Sequence, residues 1–122
     1  IVLDVGHNED GFRQILAQIE ITEHNQLHIV MGVVKDKNVE KLLSLLPHHA
    51  YYYFTKSKIP RALPENELAD KANKAGLTGH SYHDVNMAIK RALDHANADD
   101  LILVCGSVFV VGEVDYQAFL KK

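Results

Sequence analysis

The chain carries one cysteine, three prolines and no large excess of either charge. A lone thiol excludes an intramolecular disulfide, and the position of Cys105 inside the apolar run LILVC predicts a buried, reduced side chain in a cytoplasmic protein. With a formal net charge of −3 and its eight histidines neutral, the chain offers no basic face to neutralise a run of phosphates. A nucleic-acid partner is therefore not expected, whereas a single mononucleotide remains compatible. No apolar stretch approaches the roughly 20 residues that span a bilayer, and the first residues lack the charged n-region of a signal peptide, so no membrane partner is expected either. The phosphate-binding pattern G-K-[ST] is absent, which leaves the chain without a P-loop of its own. No serine, histidine and aspartate set accompanies a nucleophile-elbow sequence. His24, His28, His80, His83 and His95 show no metal-ligand spacing with one another or with Cys105, and His48-His49 point apart if extended, so no metal site is assigned. There is no initiator methionine and the first residue already reads as strand; the expectation is a domain cut from a longer chain.

What is present is enough core for one compact domain over residues 1–122, about half of it apolar. Ile1 to Val5 reads as a short strand ended by Gly6, with Asn8 placed to cap a helix through Phe12, Ile15, Leu16 and Ile19. LHIVMGVV, residues 27–34, is a continuous apolar run of the kind buried on both faces of a parallel sheet; Asp36 and a helix through Val39, Leu42, Leu43 and Leu46 follow. AYYYFT predicts a third strand, and KSKIPRALP after it predicts the longest exposed loop, since two prolines and three cations forbid a regular element there. Pro64 suits a first helical turn ahead of Leu68, Ala69, Ala72 and Ala75, with Gly76 as terminator. Residues 78–82 add a short edge strand, and Asp84 caps a helix through Val85, Ala88, Ile89, Ala92, Leu93 and Ala96. LILVC is the last buried strand. The segment 108–120 has strand propensity, yet a parallel topology favours a helix. Strands that alternate with helices and are apolar throughout predict an α/β, Rossmann-like three-layer domain with a mainly parallel sheet.

In such sheets ligands collect beyond the carboxyl ends of the strands. Three loops are thereby selected. In DVGHN, Asp4 stands at a strand end where its carboxylate can accept hydroxyl hydrogen bonds, as a ribose diol requires, and Gly6 lets the backbone approach a ligand. His7 and Asn8 fall at a helix N-terminus, where donors suit a phosphate or a developing anion. The same residues also serve as turn, cap and strand-end acceptor without any ligand. Pro60-Arg61 places a guanidinium on a rigid loop, the usual bidentate partner of a carboxylate or phosphate, beside Lys56 and Lys58, which equally keep a loop solvated. Gly106-Ser107 resembles half of a phosphate-binding turn, and Ser107 is also a plain N-cap.

Taken together, LDVGHN, FTKSKIPRA and LVCGSVFVVGEV resemble, in order and spacing, the D-G-A-H-N, P-R-A and strand-G-S-helix motifs of the C-terminal domain of folylpolyglutamate synthase/dihydrofolate synthase, a branch of the Mur ligase superfamily. The resemblance covers essentially the whole chain. Val5-Gly6 departs from the usual Gly-Ala, and a branched residue there tolerates less unusual backbone geometry. The resemblance implies an ATP-dependent ligase that phosphorylates a carboxylate on folate or dihydropteroate and lets the amine of L-glutamate attack the acyl phosphate. It implies ATP and Mg2+ in the full-length enzyme, none bound to the isolated domain, a central P-loop domain as partner in the same chain, and a monomer. Carried over, Asp4, His7 and Asn8 contact the nucleotide, His7 also lies by the reacting phosphate, and Arg61 and Ser107 face the incoming glutamate. Two alternatives stand beside it: a cell-wall precursor ligase, whose acceptor loop would read D-N-P-R where this chain has KIPRA, and a stand-alone α/β module that binds without catalysing.

Overall fold

The computed structural model describes residues 2–3, 14, 17, 26–35 and 39–105. Along the chain these give β1 (Val2–Leu3), β2 (Leu27–Met31), α1 (Val39–Ser44), β3 (Tyr51–Phe54), α2 (Glu65–Lys74), β4 (Thr78–Ser81), α3 (Val85–His95) and β5 (Leu101–Cys105). The five strands form one sheet in the order β1-β5-β2-β3-β4, and every pairing is parallel. The α/β expectation holds.

The absence of polar alternation in β2, β3 and β5 follows from burial on both faces, whereas β4 at the sheet edge is polar and largely exposed. Ile29 and Met31 of β2, Leu103 and Cys105 of β5, and Tyr52 and Phe54 of β3 pack with Leu42 and Leu43 of α1 and Leu68 and Ala72 of α2. The intervening Val30, Tyr53, Ile102 and Val104 pack with Val85, Ala88, Ile89 and Ala92 of α3 on the other side. The thiol of Cys105, which is in no disulfide, is buried in the first of these clusters. Burying a side chain such as Leu68 or Ile89 contributes about 1.5–3 kcal/mol. That exceeds the several tenths of a kcal/mol, roughly, by which each of Asn66, Asp70 and Asn73 disfavours α2.

Element ends follow local chemistry. Asp84 caps α3, its Oδ1 accepting from the Met87 amide at 2.9 Å. Pro64 occupies the cap of α2 rather than its first turn and supplies no side-chain bond. At the other end of α2, Gly76 has φ +90°, the Gly76 amide donates to Asn73 O and the Leu77 amide to Ala72 O. This is a Schellman stop, with Leu77 and Ala72 both buried beneath it. Of the helix expected through Phe12 and Ile19, Gln14 and Ala17 are described; both are helical and exposed. The expected helix at 108–120 lies outside the described residues.

Two expectations about β2 and β3 need correction. The apolar run 27–34 is not one strand: β2 ends at Met31, and Val34 instead makes an isolated antiparallel bridge with Ala62. The segment after β3 turns back along 33–35, so that the Leu63 amide donates to Val33 O at 2.9 Å and the Lys35 amide to Arg61 O at 2.8 Å. For the same reason KSKIPRALP is not simply an exposed loop, because Ser57, Ala62 and Leu63 are buried. Its prolines exclude ladder pairing at their own positions but not at Ala62 and Leu63.

The amino edge of the sheet is closed by a polar cluster. His28 Nε2 donates to Asp100 Oδ2 at 2.9 Å, and its Nδ1 is hydrogen-bonded to the Tyr53 hydroxyl at 2.9 Å. Asp100 also accepts from the amides of Asn97 and Gln26, and the Asn97 bond does most to hold its carboxyl below the ordinary range, with His28 next. Burial, helped by the neighbouring Tyr82, pushes the Tyr53 hydroxyl up to about 12. Both ring nitrogens of His28 are engaged and its side chain is 2% exposed, which makes it a structural histidine.

Candidate functional site at the carboxyl edge

The opposite edge gathers the segments that leave β2, β3 and β4 in one direction. After β2 come Gly32 to Lys35, after β3 the loop 55–64, and after β4 Tyr82 and His83. Arg61 sits in a turn closed by the Ala62 amide donating to Ile59 O at 3.1 Å. Pro60 holds the second position of that turn, the one its fixed φ favours. No described non-glycine residue has positive φ, so Arg61 occupies the third position without strain. Its side chain is exposed, and its carbonyl is tied to the Lys35 amide. Backbone hydrogen bonds on both sides of the turn thus fix where the guanidinium stems from.

Lys56 and Lys58 flank this turn, and Lys35 stands across the bridge, so cations dominate the described part of the edge. The Thr55 hydroxyl, at the end of β3, is fully buried and has no hydrogen-bond partner among the described residues. A buried hydroxyl in that condition is uncommon, and it lies where parallel sheets take their ligands. Glu65, in the first turn of α2, is buried and accepts from His83 Nδ1 at 2.8 Å. The first turn of a helix favours a negative charge, which suits that carboxylate. The His83 side chain is 90% exposed and that of Glu65 12%.

Of the residues singled out in the sequence, Arg61 is brought to the carboxyl edge as expected. Asp4, His7, Asn8 and Ser107 lie outside the described residues. The strands that lead to them, β1 and β5, run parallel to β2 and pair with each other through Leu3 and Val104. Sequence reasoning passed over His83 and Glu65, because it sought histidines at metal-ligand spacing. The available signal was position: His83 follows an expected strand and immediately precedes a helix cap. Among the described residues no group of three His, Cys, Asp or Glu could hold a metal ion. No helix among them is long and apolar enough to cross a membrane.

Comparison with known proteins gives this edge a context. The family model described as "Mur ligase, glutamate ligase domain" matches residues 1–108. The dihydrofolate synthase/folylpolyglutamate synthase of Buchnera aphidicola subsp. Schizaphis graminum is 32% identical over 116 residues, covering 93% of this chain and 27% of its own length. A solved bifunctional folylpolyglutamate synthase/dihydrofolate synthase with Mn, AMPPNP and L-glutamate bound superposes with a TM-score of 0.83 at 25% identity, over 97% of this chain and 29% of that one. The folylpolyglutamate synthase of Mycobacterium tuberculosis, complexed with ADP and AMPPCP, gives a TM-score of 0.80 at 26% identity, over 89% of this chain and 27% of that one. The chain spans less than a third of the length of the curated relatives it matches. Matched over most of its length and folded as these relatives fold, the chain belongs to the Mur ligase glutamate ligase domain family.

Proposed function

We propose that this chain is the C-terminal domain of a cytoplasmic, monomeric ligase that uses ATP and Mg2+ to join L-glutamate to folate or dihydropteroate through an acyl phosphate. The observation that carries the reading is the turn at Pro60-Arg61, a guanidinium stem fixed by the turn's own hydrogen bond and by bonds to the neighbouring segment 33–35, at the edge where ligands collect. The ligands named for the solved relative, AMPPNP, Mn and L-glutamate, are of the classes this chemistry needs.

Arg61 captures a carboxylate of glutamate. Asp4, His7 and Asn8 complete the nucleotide side of the cleft, with His7 beside the reacting phosphate, and Ser107 faces the amino acid. The unpartnered Thr55 hydroxyl and the cations at 35, 56 and 58 fit an anionic ligand at this edge. ATP supplies the phosphoryl group that activates the acceptor carboxylate. The domain's share is to hold the amino acid, offset the repulsion between anions and exclude water that would hydrolyse the acyl phosphate. A central P-loop domain of the same enzyme supplies the nucleotide cradle and metal ligands.

The test is ATP-dependent incorporation of glutamate by the complete protein, with dihydropteroate and tetrahydrofolate offered separately. Incorporation into at least one is expected, and incorporation into neither rejects the reading. Arg61→Ala should raise the glutamate KM about 10-fold or more, as for loss of a charged hydrogen bond, and leave the KM for ATP in place. An unchanged glutamate KM would remove Arg61 from the site.

A further inference from the structure

The described residues contain two histidine–carboxylate pairs, and they are built differently. At the amino edge, His28 and Asp100 are 2% and 3% exposed, and both ring nitrogens of the histidine are occupied. At the carboxyl edge, Glu65 is buried while its partner His83 has a side chain 90% exposed. A carboxylate can only accept, so Nδ1 of His83 donates to Glu65, and the pair leaves Nε2 as the ring atom that can take a proton, on a side chain that is 90% exposed. A buried carboxylate that fixes an imidazole's tautomer and leaves its other nitrogen open is the arrangement by which a general base is oriented. Glu65 lies four residues beyond Arg61 on the same segment, which links this pair to the turn assigned to the amino acid's carboxylate. In an α-amino acid the amine and a carboxylate share one carbon, so a group that takes the amine belongs near a group that takes the carboxylate.

We propose that His83 is a catalytic base for the incoming amine and that Glu65 is its positioning residue. The inference rests on the ligase reading above. Glutamate arrives as an ammonium, which cannot attack. One proton passes from nitrogen to His83 Nε2, and the freed electron pair forms the C–N bond to the acyl carbon. The C–O bond to phosphate breaks, its electron pair leaves with phosphate, and the second nitrogen proton goes to the departing phosphate. The exposed ring returns its own proton to water. No reactant beyond those of the proposed ligation is required.

The experiment compares two nucleophiles on the complete enzyme with ATP and the pterin substrate: L-glutamate, and hydroxylamine, which is already neutral at neutral pH and traps an acyl phosphate as a hydroxamate without a base. In His83→Gln the side-chain amide can still donate to Glu65 but has no nitrogen able to accept a proton. His83→Gln should lower kcat with glutamate by about 100-fold, the lower range for a general base, with the hydroxamate rate and the thermal midpoint unchanged. Glu65→Gln should lower kcat with glutamate by a smaller factor and also spare hydroxamate formation. His80→Gln, an exposed histidine on β4, should behave as the parent. Parent-like glutamate turnover in His83→Gln, or equal loss with both nucleophiles, overturns the assignment. A parent enzyme that forms neither product overturns the ligase reading and the base together.

Discussion

Asp100 accepts from two backbone amides and from the buried His28 ring, so its charged form is held in the folded chain by bonds that the unfolded chain lacks. Its folded pKa is depressed. The stability it confers is therefore fully present above the unfolded value of about 4 and is lost as pH falls through the lower folded value. Asp100→Asn should lower the thermal midpoint at neutral pH, and the gap to the parent should close on acidification below about pH 4; melts of both chains across that range check this. Neither Asp100 nor His28 stood out in the sequence. His28 sits within an apolar run and Asp100 lies 72 residues away, and nothing local shows that a fold will join them. Cys105 and Arg61 were legible because one needs only an apolar neighbourhood and the other only a proline-fixed loop at a strand end.

The stops of α2 and α3 are local devices, and they were read nearly to the residue, whereas α1 ends at Ser44, short of the expected Leu46. Gly76 ends α2 in the left-handed region, and a Cβ there would lie 2.9 Å from His48 Cε1. Gly76→Ala should cost about 1–2 kcal/mol for the backbone conformation alone, while Gly76→Asn, which tolerates that region better, should cost less. Urea unfolding of the two variants measures the difference, and equal stabilities would mean that the stop tolerates any residue. The Asp84 cap was equally readable, since its partner amide is three residues on. The end of β2 was not. Gly32 and Val33 extend an apolar run, but the return of 61–63 along 33–35 engages Val33 O and the Lys35 amide instead of a strand partner. Element type followed from hydrophobic period, whereas the boundary was decided by a partner far along the chain.

At the scale of the molecule, alternating strands and helices were sufficient to anticipate a parallel sheet, but not its order. That β1 lies beside β5 rather than β2 depends on which crossover packs best, and no local pattern encodes it. The same scale governs activity. The domain is proposed to supply the amino-acid side of a cleft and to lack the nucleotide cradle, so the purified chain should catalyse no ATP-dependent glutamate incorporation, and turnover by it alone would show that the cradle is not needed.

The strand order also dictates a sequence of events during synthesis. β5 is the last described strand to be made, yet it occupies the place between β1 and β2. Neither of those earlier strands can satisfy that flank until residues 101–105 have emerged. The sheet therefore closes late, through contacts widely separated along the chain, which are the slow kind to form. Until then β1 and β2 expose unpaired backbone, the sort of edge that invites mispairing. A nascent chain arrested before Leu101 should for this reason need a chaperone more than the finished one does.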